Sequence, residues 1–316
     1  MKLPVPFVQL PLRYDAGVLA AEIAALGEGV WRDHPQKFPG NSMLPLLAAG
    51  GDPANESFVG TMAPTPELRR CPYLMQAMAS FGAVLGRTRL MRLAGQAEVT
   101  AHVDEGYYWV ERVRIHVPIV TQPTVRFVCG GETVNMAAGE CWIFDTWREH
   151  NVFNDASEQR IHLVADSVGG ADFWSLVERG RPHAAALPGW SPRLVAPSPE
   201  PVELECERYN VPLVMTPWEL QVHVQGLTAE LVEPQAPDVP QLRMACARLF
   251  RAWRGLWARF GDSGEGGAEY RQALQRFMDE LPEGAMRKQL RNGSLWLHAV
   301  TSAALKPALR ADHGQA

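Results

Sequence analysis

The hydrophobic pattern of the chain changes period twice. In residues 1–86 it is mixed: Val18, Leu19, Ile23 and Leu26 form one helical stripe behind Asp15, a residue suited to cap it. The Gly-, Pro- and Asn-rich stretch at 33–66 predicts long irregular connections, and a loop of that length in a compact domain is usually functional or disordered. Residues 65–86 read as a second helix, with Thr65 as cap, Pro66 in its first turn and Gly86 at its end.

From about residue 87 to 170 the period falls to two. Residues 112–120 alternate, placing Val113, Ile115 and Val117 on one face and Arg112, Arg114 and His116 on the other. Residues 125–129 and 133–136 flank Gly130-Gly131 as a hairpin, and 140–145, 151–154 and 160–166 read as further strands. Short strands with turns about every ten residues predict a barrel or double-sheet jelly roll, not a parallel sheet. Prolines 188, 192, 197, 199 and 201 then break the pattern. After them the period is helical over 217–231, 241–260, 265–281 and 284–305. The division this predicts is a β domain with helical support over 1–185, a Pro-rich linker over 186–204 and a helical domain over 205–316.

Composition narrows the function classes. Hydrophobic residues at 47% and charged residues at 21% are the balance of a globular protein. A net charge of −5 gives no general attraction to nucleic acid or an anionic membrane, and neither is expected as a partner. The arginines within 248–259 alternate with Leu, Phe and Trp at helical spacing and read as the solvated face of a packed helix. The five cysteines are odd in number and form no CxxC pair, which predicts reduced thiols and a cytoplasmic protein. Residues 1–12 carry three prolines and no small-residue cleavage site, unlike a signal peptide, and no run reaches the ~18–20 apolar residues of a membrane span. Homo-oligomerisation stays open.

The chemistry concentrates in the β region. Residues two apart on a strand share a face, so His102 and Asp104 are expected to project together. An imidazole and a carboxylate on one face are two-thirds of the facial triad of non-haem iron(II), and His150, starting a later strand, supplies the third ligand. Three protein ligands leave positions for a bidentate 2-oxo acid and for dioxygen. Arg160 lies ten residues after His150 within the apolar run Ile161-His162-Leu163-Val164, where a guanidinium needs a carboxylate partner. It is the candidate for the far end of a dicarboxylate cosubstrate. Arg112, Arg114 and His116 form a second cationic cluster, suited to the cosubstrate's other carboxylate and to an acidic or zwitterionic substrate. Tyr107 and Trp109, just after the HxD, and His162 complete the candidates for a substrate wall, with plain wall packing the alternative for the aromatics.

The segment 90–169 resembles the aspartyl/asparaginyl β-hydroxylase family of Fe(II)/2-oxoglutarate-dependent oxygenases. The pieces that carry the likeness are Met91-Arg92-Leu93, His102-Val103-Asp104, Arg114-Ile115-His116-Val117-Pro118, Gly139-Glu140, Ile143-Phe144-Asp145, Glu149-His150-Asn151-Val152, Asn154-Asp155 and Arg160. The resemblance implies a double-stranded β-helix and iron(II) on His102, Asp104 and His150. It also implies that Arg160 holds the 5-carboxylate of 2-oxoglutarate, with His116 and Arg114 near the cosubstrate or substrate carboxylate. Animal peptidyl hydroxylases of the family have Gly in place of the ligand Asp, so Asp104 places this chain nearer the bacterial branch that includes free-proline hydroxylases. Met91 stands where the animal enzymes carry a hydroxyl residue against the 5-carboxylate. The implied activity is hydroxylation of an unactivated C–H bond in an amino acid, amino-acid derivative or peptide residue, with O2 consumed and succinate and CO2 released.

Two other classes use the same features. A cupin-like zinc hydrolase or isomerase shares the ligand set but has no need of Arg160, and a non-catalytic 2-oxoglutarate sensor has no need of a complete triad. Of the remaining histidines, His34 could line a substrate mouth but reads first as an exposed loop residue, and His183, His223, His298 and His313 lack a ligand partner in sequence. Asp145 suits either a hydrogen bond that orients a metal ligand or the capping of its own turn. The resemblance implies that residues 41–46 stand where related enzymes place substrate-facing residues, and Trp253, Trp257 and Trp296 read as core of the helical domain.

Overall fold

The computed structural model describes residues 1–35 and 37–310, which leaves His313 outside the described residues. Four strands precede the central motif: β1 (Phe7–Tyr14), β2 (Arg32–Asp33), β3 (Asn41–Ala49) and β4 (Met62–Pro64). The motif itself runs through β5 (Val84–Leu93), β6 (Glu98–His102), β7 (Val113–Val120), β8 (Val125–Cys129), β9 (Glu132–Val134), β10 (Glu140–Phe144), β11 (His150–Asn154) and β12 (Arg160–Gly169). Strands β13 (Arg181–Pro182) and β14 (Arg193–Val195) follow. The large sheet has the order β13-β1-β10-β7-β12-β5-β3-β2, with β14 on β1 and β4 on β3, and the small sheet is β6-β11-β8-β9. Strands β5 to β12 thus divide between two antiparallel sheets as a jelly roll of the double-stranded β-helix kind.

Alternation along the strands builds two cores. One face of the large sheet, with Leu44, Leu90, Ile115, Ile143 and Leu163, packs under the helices α1 (Ala16–Ala24) and α2 (Pro72–Ala79) through Leu19, Ile23, Leu74 and Met78. Each such side chain contributes roughly 1.5–3 kcal/mol relative to exposure. The opposite face meets the small sheet around Phe7, Phe127, Trp142, Phe144 and Val152. Asp15 caps α1 as expected, its Oδ1 accepting the Val18 N–H at 3.1 Å.

Several expectations are corrected. The stretch at 33–66 contains β3, nine residues that pair with β5 along one edge and with β2 and β4 along the other. Pro45 hid it: proline cannot donate to a ladder, and the register shift between Pro45 and Leu47 is how the sheet accommodates it. The helix expected over 65–86 is a 3-10 turn at Leu68–Arg70 followed by α2, and the chain turns at Gly82 (φ 62°) into β5. The Pro-rich stretch read as a linker carries β14, which pairs in parallel with β1.

The chain forms two compact units: residues 1–104 with 111–210, and residues 105–110 with 211–316. The second contains α3 (Tyr107–Val110), then, after α4 (Ala171–Glu178) of the first unit, α5 (Pro217–Ala229), α6 (Val239–Phe260), α7 (Gly267–Asp279) and α8 (Trp296–Val300). Trp253 and Trp296 are its buried centre, donating to Met215 O at 2.8 Å and Thr228 Oγ1 at 3.2 Å, while Trp257 is half-buried. The helix expected over 284–305 is interrupted, because Gly293 (φ 87°) turns the chain before α8. No helix among the described residues is long and apolar enough to cross a membrane.

Candidate metal centre and its surroundings

Strand β6 ends at His102, β11 begins at His150, and the two residues stand opposite each other across the small sheet, ring centroids 4.2 Å apart. Nδ1 of His102 faces Thr100 O at 2.8 Å, and Nδ1 of His150 faces Arg148 O at 2.9 Å. A ring that donates from Nδ1 keeps its Nε2 lone pair for a metal. Asp104 is not on the strand. It lies in the loop beyond β6, held by its N–H to Thr146 O (3.1 Å) and by Arg114 Nη1 at 3.1 Å from Oδ2. These two anchors, not strand alternation, bring its carboxylate to the histidines. One ligand atom from each of His102, Asp104 and His150 lies within 4.8 Å of the others.

The protonation states suit a cation. Burial pushes the Asp104 carboxyl up, but Arg114, His150 and His102 together hold it below the usual carboxylate range. Burial pulls the His150 imidazole down to about 4, against the attraction of Asp104. At neutral pH the set therefore offers a carboxylate and a neutral imidazole, the forms a metal binds. Between about 4 and the ordinary 6.5 the unfolded chain carries a proton on this histidine that the folded chain does not. Stability is consequently lost as pH falls through that window. The metal-free protein should melt at a lower temperature at pH 5 than at pH 7.5, and His150→Ala should flatten the difference; equal slopes in the two proteins would exclude His150 as its source.

Deeper between the sheets, Arg160 is 4% exposed at the start of β12. Its Nη2 lies 2.7 Å from Nδ1 of His162, whose Nδ1 is in turn 3.5 Å from Nδ1 of His116. Burial alone pulls the guanidinium down to about 9, and no carboxylate among the described residues pairs with it. Burial and the Arg160 charge hold both imidazoles well below their ordinary range, so His116 and His162 are neutral. Among the described residues, Nε of Arg160 and Nε2 of both histidines are buried without hydrogen-bond partners.

The other candidates separate. Arg114 bridges two carboxylates, with Nη1 on Asp104 and Nε 3.1 Å from Asp166 Oδ1, so it orients the cluster. Arg112 lies just before β7 and forms a buried two-pronged pair with Glu207, Nε–Oε1 at 2.7 Å and Nη2–Oε2 at 2.9 Å. That pair is structural, which corrects Arg112 as a substrate residue. Glu207→Ala should cost about 3–5 kcal/mol, because it takes the carboxylate out of a buried ion pair. Chemical denaturation measures that cost, and folded variant should bind metal normally. Tyr107 and Trp109 belong to the second unit, where Tyr107 Oη donates to Glu219 Oε1 at 2.6 Å and Trp109 packs on Tyr108 with centroids 4.7 Å apart. Asp145 caps its own turn through Trp147 N–H (3.0 Å) and pairs with Arg148 (2.9 Å). His183 pairs with Glu132 at 2.8 Å, His223 lies 3.9 Å from Glu219, and His298 is exposed. Sequence reasoning missed Asp166 and Glu207; their partners are 52 and 95 residues away, and nothing local marks them.

The residues fit the groups their chemistry implies. Two imidazoles and a carboxylate suit iron(II), and a buried guanidinium with no carboxylate partner among the described residues suits a 2-oxo diacid. Residues 49–169 match the aspartyl/asparaginyl β-hydroxylase family. The matched hydroxylase segment takes in β5 to β12 and with them every residue of the His-Asp-His cluster and Arg160. Among solved structures the chain is similar to a 2OG-Fe(II) oxygenase-family oxidoreductase from Burkholderia pseudomallei (15% identity, 48% of this chain and 80% of that one, TM-score 0.31). It is also similar to a Pseudomonas putida prolyl-4-hydroxylase (14% identity, 52% and 92%, TM-score 0.35). A third is a Trichoplax adhaerens prolyl hydroxylase in complex with a hypoxia inducible factor oxygen degradation domain peptide fragment (11% identity, 51% and 80%, TM-score 0.35). No curated protein matches the sequence.

Proposed function

We propose that this chain is an iron(II)- and 2-oxoglutarate-dependent hydroxylase acting on an amino acid, amino-acid derivative or peptide residue that carries a carboxylate. One observation supports this above the others. Among the described residues, Nε2 of His150, His116 and His162 and Nε of Arg160 are buried polar atoms without hydrogen-bond partners, contributed by three strands to one jelly roll. Stable proteins satisfy such atoms, and a metal with a bound dicarboxylate satisfies these together.

In this reading His102, Asp104 and His150 hold the metal and Arg160 takes the distal carboxylate of 2-oxoglutarate. Once bound, the metal and cosubstrate supply the oxidising power: O2 is consumed, a substrate C–H becomes C–OH, and succinate and CO2 leave. The chain's own residues do the positioning. Arg114, pinned by Asp166, fixes the Asp104 carboxylate, and the carbonyls of Thr100 and Arg148 fix the tautomers of the two ligand histidines. Neutral His162 accepts from Arg160 and so sets the orientation of the guanidinium fork. Phe127, Trp142 and Phe144, all buried, line the space around His116 and His150 and keep it dry.

The test is succinate release from 2-oxoglutarate with iron(II) and ascorbate, across free amino acids and short acidic peptides. Stimulation by one compound supports the reading and names its substrate class. Iron-loaded protein that turns over no 2-oxoglutarate, with or without a stimulating compound, sinks it.

A further inference from the structure

Alternation along β12 sorts its side chains between two faces. Ile161, Leu163 and Ala165 pack under the helices, so Arg160 and His162 share the opposite face, toward the small sheet. His162 is 1% exposed, and a polar ring buried that completely needs both of its nitrogens satisfied. Arg160 satisfies the first. A guanidinium only donates, so Nδ1 of His162, 2.7 Å from Arg160 Nη2, is the bare, accepting nitrogen. The His116 ring stands edge-on at 5.8 Å between centroids, with Nδ1 to Nδ1 at 3.5 Å, and closes the same side. The proton of the neutral His162 ring therefore sits on Nε2.

Among the described residues no group accepts from that Nε2–H. The two ladders explain why. His162 stands opposite Met91 of β5 and Pro118 of β7, whose side chains carry neither nitrogen nor oxygen. Nε of Arg160 is in the same condition as His162 Nε2, buried and without an acceptor. The two donors belong to residues two apart on one strand face, roughly 6.5–7 Å between their Cα atoms. A carboxylate has two oxygens and about four lone-pair sites, enough for a guanidinium and an imidazole together. The charges also suit one such group. Arg160 offsets the anion, and a neutral imidazole adds a donor without burying a second cation. Burial and the Arg160 charge hold the His162 imidazole well below its ordinary range, so it stays a one-proton donor.

We propose that His162 is a second, direct donor to the distal carboxylate of 2-oxoglutarate, its Nε2–H taking one oxygen while Arg160 holds the other. Together the two select a 2-oxo diacid over a 2-oxo monoacid. The inference rests on the hydroxylase reading, and it moves His162 from the substrate wall, where the sequence placed it, to the cosubstrate.

Full-length protein loaded with zinc(II) in place of iron binds without turnover and suits NMR of isotope-labelled histidine rings. His162→Gln identifies the His162 signals by their loss. In wild type that ring should carry its proton on Nε2, and 2-oxoglutarate should move the Nε2–H resonance downfield, as a charge-assisted hydrogen bond does. 2-Oxopentanoate, which has the same 2-oxo acid end and no distal carboxylate, should leave the resonance in place. By calorimetry, His162→Leu should weaken 2-oxoglutarate on the order of 10- to 100-fold, the range for a hydrogen bond to a charged group, with 2-oxopentanoate unchanged. His162→Gln keeps an acceptor for Arg160 and a donor for the carboxylate, and should recover most of the loss. A ring that only orients Arg160 would give the same affinity losses, but its Nε2–H would not respond to 2-oxoglutarate. That result overturns the proposal, and wild type delivers it whether or not the leucine variant folds. A proton found on Nδ1 instead of Nε2 overturns it too. Wild-type protein that does not bind 2-oxoglutarate at all overturns the hydroxylase reading instead.

Discussion

His150→Ala should reduce iron-dependent succinate release to the level of metal-free protein. Removing a residue that only orients a ligand typically costs about 10- to 100-fold in metal affinity or activity. Removing the ligand itself should exceed that, since His102 and Asp104 alone cannot enclose one side of the ion. The fold should survive. His150 packs against Phe144 with centroids 4.9 Å apart, and that contact is lost, but so is a buried Nε2 that the metal-free protein leaves unsatisfied. Melting of the metal-free variant at pH 7.5 should therefore stay close to wild type while metal content, read by mass spectrometry after dialysis, collapses. Retained iron-dependent turnover would remove His150 from the ligand set.

Arg160→Met should move binding and stability in opposite directions. A carboxylate bound to a buried guanidinium loses about 2–5 kcal/mol when that partner is removed, so the Kd for 2-oxoglutarate should rise on the order of 100-fold or more. Without cosubstrate, the wild type buries a cation with no carboxylate beside it among the described residues, and burial has already pulled that group down to about 9. Replacing it with an apolar side chain of similar length relieves this penalty, by about 1–4 kcal/mol in comparable buried sites, less the bond lost to His162 Nδ1. The variant should melt no lower than wild type on its own and lose the upward shift that 2-oxoglutarate gives the wild type. A variant that melts well below wild type and still binds 2-oxoglutarate would make Arg160 a structural residue.

The sequence carried the centre of the fold because the strands there alternate cleanly. Residues 113–120 and 160–166 each have one face built of Val, Ile, Leu and Ala, and that face packs under the helices. His102, Asp104 and His150 were legible as a set because few other roles require those residue types together. What escaped was set by distant partners. Pro45 made β3 look like loop, yet a shift in register lets the strand run through it. Arg112 shares the alternation of Arg114 and His116, but it lies one residue outside β7, and Glu207 takes it.

The chain visits its helical unit twice, once at 105–110 and again from 211 onward. The first visit begins one residue after Asp104. There Ser294 Oγ bonds the Glu105 carboxylate, Ser302 Oγ donates to Glu105 O at 3.3 Å, and Tyr107 is fastened to Glu219. A chain stopped after residue 210 would keep Glu105 and Tyr107 and lose every one of those partners. The helices are thus no interchangeable appendage: modular swaps or trimming at 210 would leave the backbone next to a proposed metal ligand without its moorings, and any graft must supply side chains that receive residues 105–110.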